Sequence, residues 1–375
     1  MKFNTVQTSD LSVLIPKTKL RWALVLSAFL LFAADINVQR LNAQPAPRME
    51  ERGFVYTADE RANSVSMIDL GTGQVKSTPV RISPHNVQVS HDGRLLLVVG
   101  MLAGVDMSEE KSNMDKPGQK EMQRGRLLIF DAATMSTDNL IDIEVGREPA
   151  HVIIDPHGKL AYVTNAEDNM ISVVDVAQRK VVGKIKTGKS PHGLRMSPDG
   201  KEIYVANTGD NTVSVIDVAL AREAAHVPVG KAPAQVGFTP DGRRVYVSST
   251  VDNTVVVVDT ARRKQIAAVP VGRKPIQVFA TPDGRYIYAA NEGTAENADN
   301  TVSVIDTATN KVVATVVTGK GAHGVVVTDD GSRALIANTV DGTVSVIDTA
   351  TQQVTRSIKA GEGSGGISFR SAGRH

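Results

Sequence analysis

The chain has 375 residues, no cysteine, 41% apolar and 22% charged residues, and a formal charge of +2. That composition excludes a disulfide framework, thiolate chemistry and lipid attachment through a cysteine, and it is ordinary for a globular protein. Aromatic residues are scarce, and the abundance of Val, Ile, Thr and Gly favours strands and turns over helices.

The first predicted element is an export signal over residues 1–43. Lys17, Lys19 and Arg21 precede an apolar run over residues 22–34. A basic flank, a short apolar core and then small residues describe such a signal. The run falls short of the roughly 20 residues a bilayer span needs. Cleavage is expected after Ala43, with an uncleaved anchor as the alternative, and residues 44–52 read as a linker. A periplasmic or secreted protein without a transmembrane domain follows once the signal is removed. Removal takes away five basic and two acidic residues, leaving 37 and 38, a net charge of −1. A general electrostatic pull on nucleic acid is therefore not expected.

The remaining chain, residues 53–375, is one motif repeated. Units begin at Pro149, Pro191, Pro233 and Ala322, with a period of 42 residues in the regular stretches. In the unit from Pro191 a short strand runs into Ser-Pro-Asp-Gly, where Pro198 fixes φ and Gly200 is free to adopt positive φ. Three further strands follow, separated by turns. Four antiparallel strands per unit of this length make one propeller blade. Residues 53–83 supply strands two to four of a blade, and residues 365–370 supply a lone first strand. The sequence thus predicts an all-β, seven-bladed β-propeller of four-stranded antiparallel blades, closed by the C-terminal strand joining the first blade. Two insertions are expected, over about 100–125 in blade 2 and 292–300 in blade 6.

Tyr-Val-Thr-Asn at Tyr162, Tyr-Val-Ala-Asn at Tyr204 and the Asn-Thr-Val-Ser-Val-Ile-Asp runs at Asn211 and Asn300 resemble YVTN-type (YncE-like) propeller repeats. The resemblance covers residues 53–375 and implies the fold. It implies little about chemistry, because similar rings occur in the heavy subunit of methylamine dehydrogenase, nitrite reductase haem domains and some lactonases.

Because strands run alternately up and down, the entries to strand one share a face with the links from strand two to strand three. His85, His192 and His323 stand at the second place of their units, and Asn86, His151, Gln235 and Gln277 at the third. Strand one is innermost, so these side chains are expected near the mouth of the central channel, as a ligand-binding set. Neutral imidazole is also a common metal ligand. His85, His151, His192 and His323 are therefore candidate metal ligands, with a transition metal such as copper as the cofactor. The copper-binding histidine ring of the nitrous oxide reductase propeller is similar only loosely. The alternative is that each histidine merely caps a strand entry.

Both insertions fall on the same face. The first carries Met101, Met107, Met114 and Met122 and reads as a flap whose methionines pack onto the blade. The recurring Asp175, Asp217, Asp259, Asp306 and Asp348 end strand three and read as turn caps.

The function these features support is an exported binding or scaffold module, expected to be monomeric, that takes a small ligand or a protein partner on the channel-mouth face. The first rival is an enzyme: a metal- or quinone-linked oxidoreductase subunit or a lactonase-like hydrolase. The second is nucleic-acid binding of the YncE-like kind. It would use Arg243, Arg244, Arg262, Arg263 and Lys264, but few aromatic residues accompany them for base stacking.

Overall fold

A computed structural model describes residues 52–104 and 124–373. The expected signal, Met107, Met114 and Met122 lie outside the described residues. Twenty-eight strands, β1 to β28 in chain order, form seven four-stranded sheets. The fold is the seven-bladed propeller the repeats predict, and no helix among the described residues is long and apolar enough to cross a membrane.

Blade 4 shows why the unit folds. It consists of β12 (Pro191–Met196), β13 (Glu202–Asn207), β14 (Thr212–Asp217) and β15 (Arg222–Pro228). The β12–β13 turn closes with Gly200 N–H donating to the Ser197 carbonyl at 2.8 Å, and Gly200 has φ 72°. Ser197 Oγ adds a 2.7 Å bond to Asp199 Oδ1. β13 is buried along nearly its whole length because neighbouring blades cover both its faces, whereas β15 alternates exposed and covered positions at the rim. Asn207 ends β13 and donates to Ser214 Oγ at 2.9 Å and Thr212 Oγ1 at 3.0 Å. Gly188 lies directly over it: a Cβ there would sit 2.5 Å from Asn207 Nδ2. The repeated Gly and the repeated Asn are therefore one packing device.

The core is distributed between blades. Tyr204 and Val213 of blade 4 pack with Val236 and Val247 of blade 5. Buried tyrosines of strand two reach the next blade: Tyr246 Oη donates to Asn310 Oδ1 at 2.8 Å and Tyr288 Oη to Gln352 Oε1 at 2.9 Å. The strand-three aspartates cap turns as expected; Asp175 accepts from the Gln178 N–H at 2.7 Å and Asp306 from the Thr309 N–H at 2.8 Å.

Closure also follows the prediction. β28 (Ser364–Ser371) is the inner strand of blade 1 and pairs antiparallel with β1 (Gly53–Asp59), Phe54 opposite Arg370 and Thr57 opposite Ile367. The expected second insertion is a lengthened hairpin: β21 (Tyr286–Gly293) and β22 (Ala298–Asp306) continue pairing to Gly293 opposite Ala298. In blade 2, β5 (Leu95–Leu102) and β6 (Arg124–Asp131) flank the first insertion.

Candidate functional site

The inner strands β4 (Ile82–Val89), β8 (Pro149–Ile154), β12, β16 (Pro233–Phe238), β20 (Pro275–Ala280) and β24 (Ala322–Val327) each break register near their start. In β4 the shift falls between Pro84 and Asn86, and in β12 between Pro191 and Leu194. A bulge of this kind re-aims a side chain out of the ladder. It is why a histidine just after the strand-entry proline can face the channel.

Three of the four predicted histidines converge. His85 Nε2 lies 3.3 Å from His192 Nε2. Ring centroids are 5.7 Å apart for His85 and His151, and 4.8 Å for His151 and His192. One ligand-capable atom from each of the three lies within 4.8 Å of the others. His323 stands farther off, its ring 6.5 Å from that of His85. His151 is only 2% exposed, so the cluster is less wet than a channel mouth suggests.

The partners fix where the hydrogens sit. His192 Nδ1 is 2.9 Å from the Ala234 carbonyl, which can only accept. Its hydrogen is therefore on Nδ1, and Nε2 offers a lone pair towards His85. The Val236 N–H donates to Gln235 Oε1 at 2.9 Å, so Gln235 Nε2 is the donor to His151 Nδ1 at 3.3 Å. The His151 hydrogen is consequently on Nε2. His85 Nδ1 faces Glu60 Oε1 at 3.7 Å.

The electrostatics agree with this assignment. Burial opposes charge on His85, but the facing Glu60 carboxylate, with Glu148 and Glu292, outweighs it and raises its pKa above 6.5. Burial, and then the charge of His85, press His192 down to about 3. Burial and the charges of His192 and His85 hold His151 well below its ordinary value. His85, whose affinity for a proton is raised, thus donates from Nε2 to a neutral His192. Partial burial raises the Glu60 carboxyl, but the facing His85 prevails and lowers it.

Asn86 and Gln277 reach the neighbouring blades. Asn86 Oδ1 accepts from the Val152 N–H at 3.3 Å, and Gln277 Oε1 from the Val325 N–H at 3.2 Å. Both are buried and act first as ties between inner strands. Gln235 serves the site indirectly, by setting the His151 tautomer.

Sequence reasoning missed Glu60, and read Glu292 only as the start of an acidic insertion. Glu60 supports His85, and Glu292 accepts from His323 Nδ1 at 2.7 Å and from Lys274 Nζ at 2.7 Å. Burial would raise Glu292, but His323 and Lys274 pull it down to about 2. The signal was present: Glu60 follows Asp59 and Glu292 follows Asn291, at the aligned place where other blades carry Ala166, Thr208, Thr250 and Thr339.

Beside the cluster is a cavity of about 440 Å³, with Glu60, His85, Met101, Glu148 and His192 in its wall. That is the size of a small-molecule site. As a metal site the cluster offers enough nitrogen ligands, and His192 has the carbonyl partner typical of a metal-bound imidazole. The resting tautomers do not present three lone pairs, because His85 and His151 both carry hydrogen on Nε2.

Fold and site together define a seven-bladed β-propeller with a histidine- and carboxylate-lined channel mouth. The model of a family described as lactonase, 7-bladed β-propeller, matches residues 125–265, the stretch containing His151, His192 and Gln235. No curated protein matches the chain significantly. Among solved structures, the chain is similar to a putative 6-phosphogluconolactonase from Bacteroides fragilis, with 17% identity and a TM-score of 0.67 over 87% of this chain and 99% of that one. It is similar to Kuenenia stuttgartiensis hydrazine synthase, with 21% identity and a TM-score of 0.61 over 76% and 88%. A functionally unknown protein from Desulfotomaculum acetoxidans gives 15% identity and a TM-score of 0.66 over 85% and 99%. At these identities the likenesses establish the fold.

Proposed function

We propose that the channel mouth binds a small carbonyl compound and hydrolyses a cyclic ester, in the manner of a lactonase-like propeller. The observation that carries this reading is the 3.3 Å contact between His85, whose pKa is raised, and a neutral His192 at the wall of a ligand-sized cavity. Water adds its oxygen to the carbonyl carbon while its proton passes to His192 Nε2. The ring C–O bond breaks, and the departing oxygen takes the proton of His85. Loss of that proton removes the charge that depresses His192, so the base strengthens as the acid is spent. Transfer from His192 to His85 across the Nε2 contact restores the pair. The partial family match and the lactonase-like neighbour support this choice of substrate.

Two wider assignments accompany it. The N-terminal pattern supports export to the periplasm or beyond, and the pairing of Gly188 with Asn207 supports placing the repeats with the YVTN type. A second reading, a transition ion held by His85, His151 and His192, is favoured by the 4.8 Å grouping of their ligand atoms.

The test is acid release from a panel of γ-, δ- and phosphorylated sugar lactones, measured at constant pH. His85→Ala and His192→Ala should each lose about a hundredfold or more in rate. His157→Ala, an exposed residue of a β8–β9 turn, should not change. Absence of turnover on every lactone overturns the hydrolytic reading. Loss of activity on chelation, restored by one divalent ion, favours the metal reading instead.

A further inference from the structure

The same ring has a second opening on the face of the Ser-Pro-Asp-Gly turns. There a cavity of about 600 Å³ has Gln88, Ile153, Arg195, Phe279, Ile367 and Phe369 in its wall. Arg195 lies three residues beyond His192 on β12, so one inner strand serves both openings.

Arg195 and Arg370, both in the wall of this cavity, stand over aromatic rings, whereas three arginines elsewhere in the blades meet carboxylates. Arg126 meets Asp142 at 2.6 Å, Arg147 meets Asp168 at 2.7 Å and Arg333 meets Asp348 at 2.7 Å. Among the described residues no carboxylate forms an ion pair with Arg195. Its contacts are a long 3.5 Å approach to Gln88 Oε1 and the face of Phe279, with the guanidinium carbon 5.6 Å from the ring centroid. Asp329, also on this lining, has interactions of its own. Arg195 is half-buried, and drawing a guanidinium even partly out of water without a counter-charge is costly. Burial alone lowers its pKa to about 10.

We propose that Arg195 anchors a second binding site, for an organic carboxylate, at the channel opening opposite the histidine cluster. The guanidinium fork matches a carboxylate in bidentate geometry. Phe279, Ile153, Ile367 and Phe369 supply apolar wall for the body of the ligand, which favours an organic anion over a bare inorganic one. The Gln88 amide stands beside the fork and completes the polar end. This inference is independent of the hydrolytic reading, since it uses none of the four histidines.

The experiment is calorimetric titration of the full chain with benzoate and, separately, with inorganic phosphate. Wild type should bind benzoate saturably at one site, and more tightly than phosphate. Arg195→Met should weaken benzoate about tenfold or more, the value of a charge-assisted pair. Arg195→Lys keeps the charge without the fork and should fall between. His323→Ala, on the other face, should bind benzoate as wild type does. Melting curves establish that each variant is folded, and Arg195→Lys decides the matter if Arg195→Met is not. No saturable benzoate binding to wild type, wild-type affinity in the folded Arg195 variants, or phosphate binding tighter than benzoate would each overturn the proposal.

Discussion

Ser364 Oγ lies 2.7 Å from Asp59 Oδ1, a bond between residues 305 apart in sequence. Asp59 occupies the place that Asn165, Asn207, Asn291 and Asn338 hold in other blades, and it also receives Ser66 Oγ at 2.6 Å and Thr57 Oγ1 at 2.8 Å. The acceptor role suits a carboxylate here, because every neighbour is a hydroxyl. The bond sits where the last strand meets the first, so ring closure and this buried acid are coupled. Truncation before Ser364 should remove the inner strand of blade 1, uncover the edge of β1 and cost several kcal/mol, a large share of the roughly 5–15 kcal/mol of a typical fold. Denaturant unfolding of the truncated chain checks this; an unchanged midpoint would mean that β28 does not hold the ring.

The contact between Gly188 and Asn207 predicts a second cost. Gly188→Ala places a methyl 2.5 Å from the Asn207 amide, whose neighbours Ser214 and Thr212 leave it no room to turn. Overpacking of this kind costs about 1–3 kcal/mol. Gly158→Ala has open space around its Cβ but a φ of 69°, so its cost is backbone strain alone, about 1–2 kcal/mol. The two thermal shifts, measured together with the double variant, should add, because the sites share no partner.

The histidine cluster makes stability depend on pH with a definite sign. His85 has a raised folded pKa, so its contribution is complete below its unfolded value and fades as pH rises through the folded value. His192, at about 3, and His151, well below 6.5, stay neutral in the fold while the unfolded chain takes up protons. Their effect is a loss of stability as pH falls from about 6.5. Below about pH 6.5 the His85 contribution no longer changes, so these histidines should make stability fall as the pH drops from about 6.5 towards 3. Imidazole NMR titration should find His85 above its ordinary value, and Glu60→Gln should bring it down. A His85 titration that Glu60→Gln leaves in place would remove Glu60 from this role.

Excising residues 105–123 and joining Gly104 to Arg124 by a short turn should leave blade 2 intact. β5 and β6 are already paired from Leu95 opposite Asp131 to Gly100 opposite Arg126, and shortening the connection between two paired strands changes closure entropy by only about 0.6 kcal/mol per halving. A wild-type melting curve with altered ligand binding would confirm a peripheral segment bearing on the channel-mouth cavity. Failure to fold would place it in the core.

The sequence by itself determined the blades, their turns, the closing strand and the face on which the histidines lie. These follow from local rules: alternation makes strands, Gly200 and its equivalents make turns, and the up-down order of strands assigns faces. It did not determine which side chains meet. His85 and His192 are 107 residues apart and touch at 3.3 Å, because bulges at the strand entries turn both inward and seven blades close around one axis. His323 obeys the same local pattern but is drawn to Glu292. Arg195 carries no local mark of function and Glu60 only an acid where most blades carry Ala or Thr; each is defined by what lies across the channel, a histidine for one and the absence of a paired carboxylate among the described residues for the other. Distances across an axis depend on the curvature of the whole ring, and that is a property of how the blades pack rather than of any one repeat.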